Sequence, residues 1–265
     1  MKPYFQETDS CVLACSGPSL NKVDVFSLGL PVVAVSTAIR VIPNPDFWSL
    51  ADRLNTMHGK EGNSAWKNEN IIKIVPQNQV IKADSSFIRV EYKSAGRNDE
   101  VYKTLFLPGY PLVRGPHKTV TFIIQWLHIN GIKNIIFAGN DLKANTFEEK
   151  YAYKLENHDM RKKGNFKKTI DQVASTMKVW YPIAKSKGFE WYSWECGSEF
   201  EKLVPKFTKE VQEEIMARKK ATKKEVKKEV KKETKNIIKE TNDNIPRSQQ
   251  ILKDSIERLT NSFKK

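Results

Sequence analysis

Two stretches of this chain carry residue types suited to gripping a phosphate and a hydroxyl. In residues 11–20 (CVLACSGPSL) a short apolar run ends in Ser16-Gly17 and passes through Pro18-Ser19 into a helix-start pattern. A small turn at the carboxyl end of a strand lets backbone N–H groups come close to a phosphate; the same residues equally make an ordinary strand-to-helix turn. In the second stretch, Gly139-Asn140-Asp141 follows the apolar run 133–138. A carboxylate there can orient a hydroxyl or assist its deprotonation, or it can cap the next segment. Asp52 follows another apolar run and either faces a ligand or pairs with Arg53 or a nearby turn. Arg114-Gly115-Pro116-His117-Lys118-Thr119 precedes a long apolar helical pattern. Gly115 and Thr119 read there as the opposite lip of a phosphate site, helped by the helix-start N–H groups, or as a turn and an N-cap.

These residues need a scaffold that sets them along one rim. Residues 12–15, 31–36 (PVVAVS), 46–50 (DFWSL), 71–75 (IIKIV), 133–138 (KNIIFA) and 189–194 are short apolar runs and predict buried strands. Helices are predicted over 21–28, with Gly29 as the stop, over 119–130, closed by Gly131, over 168–186, and from 197 to 203. Residues 80–107 alternate and contain Gly96-Arg97-Asn98-Asp99, a hairpin or inserted-flap pattern. Alternating strands and helices imply an α/β fold, a mostly parallel sheet covered on both faces, with ligands at the carboxyl ends of the strands. Ser16, Gly17, Ser36, Asp52, Gly139, Asn140 and Asp141 then share that rim.

The chain has 265 residues and a net charge of +14. Residues 206–265 hold 18 Lys and Arg against 10 Asp and Glu, so this stretch carries +8 of that excess. The reading is a domain over 1–205 and a Lys/Glu-rich helical tail over 206–265. Lys219–Lys235 repeats a KKEV beat that suits a solvated helix, and Ile251, Leu252, Ile256, Leu259 and Phe263 form an amphipathic stripe. Such a tail suits an anionic partner, DNA or a membrane surface, or self-association into a homo-oligomer. The first ten residues lack a signal-peptide apolar region and no run approaches a membrane span, so a cytoplasmic protein is expected, peripheral at most. Cys11, Cys15 and Cys196 make no disulfide framework and read as core residues. H-E-x-x-H, G-x-x-x-x-G-K-[ST] and G-x-S-x-G are all missing, which disfavours a metalloprotease, a P-loop NTPase and an α/β-hydrolase. Of the histidines, His128 falls late in a helix and reads as structural or solvent-exposed. His58 lies in a Gly/Asn-rich loop with no visible partner, and His117 stands beside Lys118.

In order, SGPSL after the first strand, a second strand ending in a small polar residue, IIFAGND (135–141) and ECGSEF (195–200) resemble a known group. It comprises the bacterial lipooligosaccharide sialyltransferases, the motility-associated flagellin glycosyltransferases and the archaeal hydroxymethylpterin diphosphokinase. The resemblance covers roughly residues 10–205. It implies a Rossmann-like nucleotide-binding domain with a small lid, and transfer of a sugar from a nucleotide-activated donor, a CMP- or UDP-sugar, to a hydroxyl of a glycan or a hydroxymethylated DNA base. It implies no required metal, although Asp141 leaves Mg²⁺ open. The implied phosphate contacts are Ser16, Gly17, Ser19, Gly115 and Thr119, with Asn140 and Gly139 alongside; Ser36 and Asp52 would meet the nucleoside and Asp141 the sugar. The base of the sialyltransferases is a lid histidine, which carries over to His158, with Asp159 as its alternative. This chain departs from the sialyltransferase pattern at Ser16 and Ser36, where Asn is usual, and at Arg114–Thr119, which is more basic; Arg114 and Lys118 would suit a donor richer in phosphate. Two other functions fit the residues: pyrophosphoryl transfer from ATP to a pterin-like alcohol, and a non-enzymatic nucleic-acid-binding accessory protein.

Overall fold

The structure, a computed structural model, describes residues 4–5, 7–51, 58–77, 85–94, 104–110, 112–114, 119–146, 148–154 and 166–243. Strands β1 (Ser10–Ala14), β2 (Val32–Val35), β3 (Phe47–Ser49), β4 (Ile72–Pro76), β5 (Phe87–Val90), β8 (Asn134–Ala138) and β9 (Glu190–Trp194) form one sheet. Its order is β5-β4-β3-β2-β1-β8-β9, and every neighbouring pair is parallel. A separate parallel pair joins β6 (Tyr92–Ser94) to β7 (Leu112–Arg114). The helices are α1 (Gly59–Lys67), α2 (Thr119–Ile129), α3 (Phe166–Ser186), α4 (Ser198–Glu201) and α5 (Lys209–Asp243). This is a Rossmann-like α/β fold.

The strand runs are apolar on both faces because both faces are covered. Cys11, Leu13, Val33, Phe47, Ile135, Phe137 and Trp191 face one core, shared with α2 and α3. The alternate residues Val12, Ala14, Val32, Ala34, Trp48, Ile136 and Ala138 face the other. Ten of the eleven residues of α2 are buried, so this helix is covered all round and not merely along one stripe. Cys11, Cys15 and Cys196 are buried free thiols, each fitting a strand or turn where a small apolar side chain is wanted.

Two local expectations change. Residues 21–28 do not form a helix. A 3-10 turn spans Pro18–Lys22, and Asp24 then accepts from the backbone N–H of Phe26 at 3.0 Å, a side-chain bond that competes with helical bonding. Gly29 still closes the segment, at φ +56°. The described strands within 80–107 do not pair as a hairpin: β5 joins the main sheet parallel to β4, bracketed by Lys73 N–H to Ser86 O (2.7 Å) and Gln77 N–H to Val90 O (2.9 Å), and β6 pairs with β7 in parallel. Both pairings are long-range or parallel, which alternation alone does not disclose.

The chain divides into two compact units, Met1–Lys219 and Lys220–Lys265. The first reaches past the change of composition at Lys206 because Phe207, Val211 and Ile215 pack into the core of the β2–β3 side. The second is described through Asp243 and is helical there, the later part of α5. No helix among the described residues is long and apolar enough to cross a membrane. The amphipathic stripe at 251–263 lies outside the described residues.

Candidate functional site

The chain builds β1 to β5 outward in one direction, then returns to place β8 on the other flank of β1. Strand order therefore reverses between β1 and β8. At such a switch point the loops after the two strands lead on to opposite faces of the sheet, and ligands bind outside the carboxyl ends of the strands. Here those loops are Cys15–Ser19 and Gly139–Asp141, so the two stretches first singled out by residue type meet in space.

They meet closely. The N–H of Cys15 donates to Ala138 O at 2.7 Å and that of Gly17 to Gly139 O at 2.8 Å, which carries the strand pairing into the loops. A Cβ on Gly17 would stand 2.3 Å from Asp141 Oδ2 and 2.5 Å from Gly139 O. One on Gly139, whose φ is +70°, would stand 2.4 Å from Cys15 O. Both glycines are thus required by the partner loop. The sequence reading gave Gly17 to a phosphate; the neighbouring backbone and carboxylate already occupy that approach. The same holds for the N–H groups of Ser19 and Leu20: Ser19 N–H donates to Asp141 Oδ2 at 3.0 Å and Leu20 N–H to Gly17 O at 3.0 Å.

Asp141 is the charged centre of this arrangement. Burial raises its pKa above the ordinary carboxylate value, while the Ser19 hydroxyl and N–H and the Lys22 ammonium pull the other way and only partly offset it. Ser19 Oγ is near enough to favour the charged carboxylate, but its geometry falls short of a hydrogen bond and it has no other partner among the described residues. Asn140 is buried too, and its Nδ2 is unpaired among the described residues. A buried amide or hydroxyl without a partner costs about 1–3 kcal/mol, so two at one crevice mark a place where stability is not the governing demand.

Above the loops lies a hollow of about 420 Å³. The residues that line it include Asp141, Glu149, Lys143, Asn145 and Tyr151. Carboxylates and an amide accept from or donate to hydroxyls, an aromatic ring covers an apolar sugar face, and a lysine offsets anionic charge. Residues 151–154 run across the β1 turn: Ala152 N–H donates to Ser16 O and Asn21 Nδ2 donates to Ala152 O, both at 2.7 Å. Within this stretch Tyr153 lies under the Arg40 guanidinium, 4.2 Å from ring centroid to Cζ.

No family model, curated protein or solved structure matches this chain.

The other expected site residues fall as follows. Ser16, Gly17, Ser19, Gly139, Asn140 and Asp141 are brought together. Ser36 stands one strand away, two residues past the Ala14–Ala34 pairing of β1 with β2. Its φ is +49°, a left-handed conformation that costs a non-glycine residue about 1–2 kcal/mol. Thr119 is buried at the start of α2; a helix feeding a parallel strand runs against it, which sets Thr119 at the level of the carboxyl rim. The backbone of Arg114 closes β7. Asp52, Gly115, Lys118, His117 and His158, with Asp159, lie outside the described residues.

Two histidines are placed. His128 is structural: its Nδ1 is 2.6 Å from Ile132 O, its Nε2 accepts from Trp191 Nε1 at 2.8 Å, and its ring stacks on Phe189. That network assigns the Nδ1–H tautomer, and burial lowers its pKa to about 4. His58 is not a bare loop residue. It is buried, its Nε2 lies 3.5 Å from Ser36 Oγ, and Trp48 meets its ring edge-on. Lys143, Asn145 and Glu149 were missed because their sequence, KANTFEE, carries no motif; only the hollow selects them. The thiols of Cys15 and Cys196, near the crevice floor, are pushed up by burial, that of Cys196 to about 11, and stay protonated at neutral pH.

Proposed function

We propose that the crevice between β1 and β8 holds a nucleotide-activated sugar and passes the sugar to a hydroxyl acceptor. The observation that carries this reading is the hollow over the switch point, where Asp141 stands beside Tyr151, Asn145 and Lys143. Asp141 Oδ2 is taken by the Ser19 N–H; its other oxygen is the acceptor for a sugar hydroxyl, and the Tyr151 ring is a platform for the apolar face of the sugar. The leaving phosphate meets Lys143 and not the N–H groups of Gly17, Ser19 and Leu20, which are bonded within the protein. A carboxylate held partly desolvated gains most from a hydroxyl that forms its bond fully only as charge moves to the leaving group. The resemblance of SGPSL and IIFAGND to the sialyltransferase group supports the same donor class.

The test is a stability panel with CMP, UDP, GDP and ATP and the corresponding nucleotide sugars. A ligand at a hundredfold excess over its Kd should stabilise the fold by about 2.7 kcal/mol. With the sugar nucleotide so found, Asp141→Asn should lower turnover about 100-fold without lowering stability, since the amide oxygen still accepts from Ser19 and a raised carboxylate pKa means that ionisation opposes folding at neutral pH. A panel in which no nucleotide raises the midpoint rejects the reading. Release of AMP from ATP directs it to pyrophosphoryl transfer, and DNA binding without nucleotide stabilisation directs it to an accessory role.

A further inference from the structure

We infer that Ser36 and His58 form a nucleophile–base pair able to carry an acyl group from an activated ester. The inference does not rest on the sugar-transfer reading, and it gives Ser36 a role other than the nucleoside contact that the resemblance implies. The first observation is where Ser36 sits. It directly follows β2, takes a left-handed φ of +49°, and opens the 3-10 turn Ser36–Arg40. A serine on a sharp strand-to-turn bend is lifted off the end of a sheet with its hydroxyl presented. Such a bend brings the strand and the following turn close, so small residues are needed two positions either side. Here they are Ala34 and Ala38, both fully buried. The G-x-S-x-G pattern is missing, yet the looser small-x-Ser-x-small pattern is present as AVSTA.

The second observation is the base. His58 Nε2 lies 3.5 Å from Ser36 Oγ, a loose approach of the kind that tightens when substrate binds. His58 stands at the cap of α1 without a side-chain capping bond. Trp48 orders both partners: its Nε1–H donates to Ser36 O at 2.9 Å and its ring packs edge-on against His58 at 5.7 Å. Ser36 itself is half-buried, whereas His58 is buried. Val35, Thr37 and Trp48 beside the pair carry no charge; the nearest charged groups are on the His58 side, where a Cβ on Gly59 would stand 3.2 Å from Arg40 Nε and 2.7 Å from Glu61 Oε2. Arg40 also lies over the Tyr153 ring.

In the step, Ser36 Oγ bonds to the carbonyl carbon as its proton passes to His58 Nε2. Collapse of the tetrahedral adduct breaks the C–O bond to the leaving alcohol, which departs with that proton. Water, deprotonated by His58, then releases the acyl group as a carboxylic acid, and the proton returns to Oγ.

The test is labelling of the full chain with a fluorophosphonate, in which an Oγ–P bond forms, the P–F bond breaks and fluoride leaves. Intact mass and peptide mapping should show one adduct, on Ser36. Ser36→Ala should remove it, and His58→Gln should slow it about 100-fold. Trp48→Phe, which deletes the donor to Ser36 O and keeps a ring, should also slow it and serves if His58→Gln fails to fold. The wild-type chain should give a p-nitrophenyl acetate burst approaching one p-nitrophenolate per chain. No adduct, an adduct elsewhere, or labelling of Ser36 at an unchanged rate in the folded variants overturns the pair, whatever the nucleotide panel returns.

Discussion

The two edges of the same sheet are built to opposite standards. At the amino-terminal edge Ser10 Oγ donates to Asp9 Oδ1 at 2.8 Å, Asn134 Nδ2 donates to Ser10 Oγ at 3.0 Å, and Thr8 Oγ1 bonds the backbone of Ser10. Asp9 O takes the N–H groups of Lys133 and Asn134, and Asp46 Oδ2 takes that of Val32. At the carboxyl edge Ser19 Oγ, Ser49 Oγ and Asn140 Nδ2 have no partner within the described protein, Ser36 holds a strained φ, and Asp141 is a carboxylate raised by burial. Paired polar groups specify register and cost little; unpaired ones are tolerated where something other than folding needs them. The edge with orphans is also the edge where parallel sheets bind ligands.

The largest test of this contrast uses two glycines. Gly139 at the carboxyl edge has φ +70° and no room for a Cβ, whereas Gly131, ahead of β8 at the other edge, has φ +99° and nothing within 4 Å of its would-be Cβ. Gly139→Ala should cost at least about 4 kcal/mol, the range reserved for broken backbone contacts, and Gly131→Ala only about 1 kcal/mol, from conformation alone. Urea unfolding measures both. Equal losses would mean that the two loops of the crevice do not meet as closely as they do here.

A second test titrates the satisfied edge. Unfolded, His128 takes a proton near its ordinary value of 6.5; folded, burial withholds it until about pH 4. Between those values the unfolded chain binds more protons, so the contribution of the neutral ring is complete above pH 6.5 and is lost as pH falls toward 4. The loss amounts to about 3 kcal/mol at most. Unfolding free energies at pH 7 and pH 4.5 should differ more in the wild type than in His128→Gln. Parallel pH dependence in the two proteins would show that the Trp191–His128–Ile132 relay does not hold the ring neutral.

Much of the scaffold was legible because its strands are uninterrupted apolar runs. PVVAVS and NIIFA have no reading other than a buried element, and Gly131 and Gly29 close their segments as glycines in left-handed geometry do. The rim was legible through SGPSL and GND, since residue type and position after a strand suffice to place them. What those loops do was not legible. Gly17 looked like an opening for a ligand, and only the approach of Gly139 O and Asp141 shows what fills it. His58 and Ser36 are 22 residues apart, with Trp48 between them in the chain and beside both in space; no local pattern announces a pair set by β2, β3 and the start of α1. Residues 21–28 had helical composition, but Asp24 capped a turn before a helix could propagate.

The smallest test compares one serine from each edge. Ser10 Oγ accepts from Asn134 Nδ2 and donates to Asp9, so Ser10→Ala leaves a buried amide short of one partner and should cost about 1–2 kcal/mol. Ser19 Oγ is buried too but has no hydrogen-bond partner among the described residues. Ser19→Ala therefore removes an unsatisfied hydroxyl and should leave stability unchanged within about 0.5 kcal/mol or raise it slightly. The Ser19 N–H to Asp141 Oδ2 bond is unaffected, because it belongs to the backbone. If Ser19→Ala were as damaging as Ser10→Ala, the hydroxyl would have a structural partner and the carboxyl edge would be built to the same standard as the amino edge. If it is neutral for folding yet weakens nucleotide-sugar binding, the orphan hydroxyl is kept for the ligand.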